Sequence, residues 1–137
     1  MNISLAAFMW MHRPPRPFEM DPRSRGEGML RGLIQELHLN DKQTEQFRVL
    51  MNEHLDKIVP VKNKGRELHD ALFEELANNS STTSRDSIIQ LIATNRAEGE
   101  KIIFDHLAKV RALCDEEQKK EFDHLIKGAM MRMEQPQ

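Results

Sequence analysis

The chain has 137 residues, 39% hydrophobic, 31% charged and 5% aromatic, with 20 basic and 22 acidic side chains for a net charge of −2. That length suits one domain, and the shortage of aromatics, with only six Gly and six Pro, argues against a sheet protein and for helices. So even a balance leaves no electrostatic footprint for nucleic acid, and the single cysteine, Cys114, excludes an internal disulfide. It fits either a reducing compartment or an exported protein that does without bridges.

Residues 1–11, MNISLAAFMWM, are apolar and uncharged. They fall short of the ~20 residues that span a bilayer and lack the basic n-region of a signal peptide. Two readings fit: the distal end of an N-terminal membrane anchor, which is the favoured one, or a short docking segment. Residues 12–28 hold four of the six prolines, two glycines and four arginines, the composition of a stiff, solvated linker. Arginine beside an anchor ordinarily marks the cytoplasmic side, which sits awkwardly with export. Residues 29–133 are predicted to be one helical-hairpin domain, and residues 134–137 a tail.

The spacing of Leu30, Leu33, Ile34 and Leu37 predicts a first short helix from Gly28 to Leu37. Asn40 then offers a side-chain oxygen to the first turn of a second helix, and Gln43 stands where it can reach back to the cap. The second helix is predicted from Asp41 to Ala77, with Phe47, Met51, His54, Ile58, Leu68, Leu72 and Leu76 on one stripe. It would be roughly 55 Å long. Pro60 lies inside it and predicts a kink rather than a break, because the stripe continues on both sides. Asn78 to Ser84 reads as a loop, with Ser84 as the next cap. A third helix follows, carrying Ile88, Ile92, Asn95, Gly99, Ile103, His106 and Val110 on one face. Asp115 caps a fourth helix through Phe122, Leu125 and Ile126 towards Met133, with Gln118 in the position that Gln43 holds earlier. The short turn between the two long helices predicts an antiparallel hairpin with short flanking helices. A hairpin so long and thin leaves apolar surface over, which predicts a homodimer or an exposed groove.

The phrases "LNDKQ" from Leu39 and "CDEEQ" from Cys114 resemble degenerate copies of the Leu-Thr-x-x-Gln signature. That signature belongs to the periplasmic heavy-metal-resistance family, which holds the Spy- and CpxP-type chaperones and the CnrX-type metal sensors. "FDHLAKVRALCDEEQKKEFDHLI" carries the likeness furthest. The resemblance implies a helical hairpin, often a cradle-shaped dimer, that is exported or held to the inner membrane by an N-terminal anchor. Two departures stand out: Asn40 and Asp115 replace Thr, and Cys114 replaces Leu. Asn and Asp still cap, so the helix-start physics survives.

His54, His69 and His106 fall within the apolar stripes, whereas His124 falls towards solvent. Neutral imidazoles suit Zn, Ni, Co or Cu, so these three are the candidate ligands of a divalent transition metal. The resemblance implies His106, and then His54, as ligands. Against a full site, Val110 stands where a thioether would be and Leu50 where a paired His would be. The competing reading makes His54 and His106 core histidines, hydrogen-bonded across the hairpin. Phe47, Met51, Ile58, Leu72, Met130, Met131 and Met133 are the candidate client or partner surface, the methionines as adaptable apolar contacts. No phosphate loop, nucleophile elbow or paired-carboxylate pocket is present, and Cys114 lies about 12 Å along one helix from His106, too far to act with it. Three functions follow as expectations: a metal- or stress-responsive sensor acting on a membrane signalling partner, an ATP-independent chaperone for unfolded clients, or a plain scaffolding hairpin.

Overall fold

The computed structural model describes residues 22–79 and 81–133. The apolar segment 1–11, residues 12–21 of the linker and the 134–137 tail lie outside the described residues. Four α-helices make the fold, with no strand among the described residues: α1 (Pro22–Leu37), α2 (Asp41–Ala77), α3 (Thr82–Leu113) and α4 (Glu116–Met133). The chain is thus all-α.

α1 starts at Pro22, ahead of the predicted Gly28, and takes in the end of the linker segment. Proline is tolerated at a first helical position, where its missing N–H would have no intrahelical partner and its φ is already helical. α1 ends in a tight reversal. His38 adopts φ 51°, and the Leu39 N–H donates to Ile34 O at 3.3 Å, the six-to-one bond of a Schellman turn with histidine in the usual glycine place.

α2 has the predicted bounds and runs without interruption through Pro60. Pro60 is exposed, so its ring occupies the outer side of α2 and spares the seam with α3. α3 starts earlier than predicted. Ser81, not Ser84, is the cap, its hydroxyl accepting the Ser84 N–H at 3.3 Å. The connection therefore shrinks to a few residues around Asn79, which takes φ 50°, a conformation asparagine tolerates better than most residues.

The two long helices pack antiparallel along their shared stripes. His54 meets His106, Val61 and Ile58 face Gly99, and Gly65 faces Asn95, so partners on α3 descend as those on α2 ascend. The main core lies at the open end of this hairpin, where α1 and α4 close over it. Leu30, Leu37, Phe47, Met51, Val110, Cys114 and Phe122 form its buried cluster. Leu55 on α2 and Leu107 on α3 are the members nearest the tip. Beyond them the protein is two helices thick, and its buried residues are Ile58, Leu68, Gly99 and His106.

One register detail differs from expectation. Ile103 is 37% exposed, and Ile102 instead lines the cleft at the seam. A residue four before His106 lies nearer the same face than one three before it when the stripe drifts along a straight helix.

Candidate functional site

The seam between α2 and α3 brings the two candidate imidazoles together. The rings of His54 and His106 stack with centroids 4.3 Å apart and planes 24° from parallel. Phe47 meets His106 edge-on, with centroids 6.1 Å apart. Around the pair lies a small cleft of about 40 Å³, lined by Leu50, Glu53, Lys57, Ile102, Asp105 and Lys109 besides the histidines. Glu53 reaches across it to Lys109 at 3.4 Å.

Burial sets the chemistry of this pair. The His106 pKa is pushed down to about 4, first by burial, then by His54 and Lys109, against a hydrogen bond with the Leu50 backbone that favours the charged ring. That of His54 is also lowered, by burial and then by Lys62. Both are thereby held neutral near pH 7. His54 Nδ1 is buried without a hydrogen-bond partner among the described residues.

His69, the third candidate ligand, does not join them. It is exposed, and its Nδ1 lies 2.7 Å from the Gly65 carbonyl one turn back on its own helix. Fifteen positions along α2 place it roughly 22 Å from His54. Among the described residues no group of three His, Cys, Asp or Glu side chains could hold a metal ion. The stacked pair turns ring faces to each other instead of converging two lone pairs, so the described residues do not fit a complete metal centre.

The proposed contact surface also needs correction. Phe47, Met51 and Ile58 are 1%, 6% and 3% exposed; they are core, sealed by α1, α4 and α3 within one copy. Leu72 is half-buried and Met131 is 57% exposed. The side chains of Met130 and Met133 lie outside the described residues. The apolar side chains that do face solvent are different ones: Phe73, Leu76, Ile89, Leu91 and Phe104 are 43–74% exposed. They lie off the common stripe, save Leu76 at its tip end, and that offset was the available signal. Val49 borders a second, shallower apolar groove with Leu50, Ala112 and Leu113.

The repeated capping phrase builds a structure that spacing alone does not reveal. Asn40 Oδ1 accepts the Gln43 N–H at 2.8 Å, and Gln43 Oε1 accepts the Asn40 N–H at 3.1 Å. Asp115 and Gln118 repeat this at 2.8 and 2.9 Å. The two glutamine amides then bond each other across the fold, and each donates on to a helix-end carbonyl, Gln43 to Leu113 O and Gln118 to Leu37 O. The second copy of the phrase thus closes on the first, tying α1, α2, α3 and α4 together at one end.

Nothing matches the chain among curated proteins or among solved structures. A family model does match, that of the LTXXQ motif family protein, over residues 25–126. The match spans both capping phrases and most of the four helices, and its signature glutamine corresponds in kind to the two that bond each other here. The chain belongs to the LTXXQ motif family.

Proposed function

We propose that this protein is a periplasmic binding protein that holds apolar segments of unfolded polypeptides on the half of its hairpin that α1 and α4 leave uncovered, without nucleotide and without catalysis. Membership of a family whose proteins are typically periplasmic supports the compartment. No described helix is long and apolar enough to cross a membrane. The observation that carries the binding role is the exposure of Phe73, Leu76, Ile89, Leu91 and Phe104 where the fold is two helices thick. Two helices hide only their shared stripe, and large apolar side chains left in water mark contact surfaces when they cluster. Suppression of aggregation of a chemically denatured model client, at near-equimolar ratio and without ATP, tests the reading. Phe73→Ser with Leu76→Ser should weaken suppression while leaving the helical spectrum intact. An inert wild-type protein in that assay ends the proposal.

A metal-responsive role has one observation behind it, the meeting of His54 and His106 on facing helices with Glu53 and Asp105 in the same cleft. It requires a third donor beyond the arrangement described above. Calorimetric titration with Zn, Ni, Co and Cu decides it; heat that vanishes in His106→Ala supports it, and no heat with any ion removes it. Association of two copies is the further expectation from the family, read directly by sedimentation equilibrium.

A further inference from the structure

The middle of the hairpin concentrates three departures from ordinary helix packing. Pro60 has no N–H, so the Asp56 carbonyl lacks its intrahelical donor inside α2. Gly65 lies so close to α3 that a Cβ there would stand 3.0 Å from Asn95 Nδ2. That same amide donates to the Val61 carbonyl at 3.1 Å, reaching from α3 into the backbone of α2 one residue past the proline. Gly99 completes the group, its missing side chain facing Val61 and Ile58. On one side of this level lies the core built with α1 and α4. On the other, α2 and α3 hold only each other, with Leu68 the one residue beyond Gly65 on α2 that is buried.

We infer that this level is a hinge: the tip half of the hairpin, residues 62–79 and 81–98, swings as a unit against the base clamped by α1 and α4, and the Asn95–Val61 hydrogen bond is its latch. The absent bond at Asp56 lies on the outer side of α2, where bending breaks no further hydrogen bond. The latch lies on the inner side, where Asn95 of the moving segment holds on to Val61 at the edge of the base. A helix with two weak points, Pro60 and Gly65, bends there at less cost than anywhere else along its length. The hinge is independent of what the protein binds, since it rests on backbone and packing alone.

Hydrogen exchange on the full chain tests it. The expected result is a step in protection at residues 61–62 on α2 and 98–99 on α3, with tip amides exchanging about ten-fold faster than base amides on each helix. Pro60→Ala, which restores a donor to Asp56, should slow tip exchange by roughly ten-fold. Asn95→Ala should speed it by about five-fold, the worth of one hydrogen bond. Spin labels at Asp86→Cys and Glu121→Cys in a Cys114→Ser background give a second readout that does not depend on the latch variant folding. Their distance distribution should be broad in the parent and narrower with Pro60→Ala. A smooth rise in exchange towards the tip, a step that neither substitution moves, or a single narrow distance in the parent overturns the hinge.

Discussion

The amides of Gln43 and Gln118 bond each other in both directions, Gln43 Nε2 to Gln118 Oε1 at 2.7 Å and Gln118 Nε2 to Gln43 Oε1 at 3.1 Å. Each oxygen also accepts the N–H of its own helix cap, and each nitrogen also donates to a carbonyl at another helix end. Both amides therefore use two acceptor and two donor positions, the full complement of the group. Removing one glutamine strands the partner amide and a helix-end carbonyl together. Gln43→Ala should cost about 2–4 kcal/mol in urea unfolding, because stranded partly buried polar groups cost ~1–3 kcal/mol each. The double variant should cost less than the sum of the singles, with a coupling of about 1–2 kcal/mol. Additive losses would mean that the two amides do not act as a unit.

The two seam glycines should respond differently to alanine. At Gly99 a Cβ would rest 3.6 Å from Val61 Cγ1 and 3.9 Å from Ile58 Cδ1, ordinary contact distances. Gly99→Ala should therefore stabilise by about 1 kcal/mol, the gain in helix propensity. At Gly65 the new methyl would press on Asn95 Nδ2 at 3.0 Å, and that amide is held by its bond to Val61 O. Displacing it loses a hydrogen bond of about 1 kcal/mol, so Gly65→Ala should come out near neutral. Thermal midpoints in the order Gly99→Ala above parent, with Gly65→Ala close to parent, are the expected outcome.

Acid should weaken the fold through the stacked imidazoles. The His106 pKa falls from 6.5 to about 4 on folding, so the unfolded chain binds the proton more tightly. Its stabilising contribution is complete above pH 6.5 and is lost as pH falls from there to about 4, on the order of 3 kcal/mol in all. His54 shifts in the same direction and adds to the loss. Unfolding free energies between pH 7.5 and 4 should slope downward in the parent and more gently in His106→Phe, which keeps a ring against Phe47 and His54 but cannot take a proton. Equal slopes would show that other groups dominate.

The core at the base should be the costliest place to truncate. Phe122 is 3% exposed and joins the cluster from α4. Phe122→Ala should destabilise by about 3–5 kcal/mol and should release α4 and α1 from the hairpin, read as lost near-end amide protection. The exposed ion pairs contrast with this: Arg111 and Asp123 form a two-pronged contact at 2.7 and 2.9 Å, yet both are solvated, and Asp123→Asn should barely move the thermal midpoint.

What the residues alone settled is local or periodic. Helical class, the bounds of α2, both capping boxes and the facing of His54 and His106 follow from 3.6-residue spacing and from side-chain oxygens placed beside orphan N–H groups. The start of α1 was hidden because prolines and arginines look like linker until the first turn is known to begin at Pro22. Which member of the stripe is core and which is surface was not legible either. Phe47, Met51 and Ile58 share a face with Leu76, yet the first three are sealed and Leu76 is 74% exposed. Burial depends on what lies across from a residue, and α1 and α4 reach only the base. His69 shows the same limit: a position on the apolar stripe of one helix brings no ligand to a site when its partner helix has nothing to meet it. The reciprocal glutamines, likewise, are two separate helix starts in the chain and become one clamp only when the hairpin folds back and sets the second cap against the first.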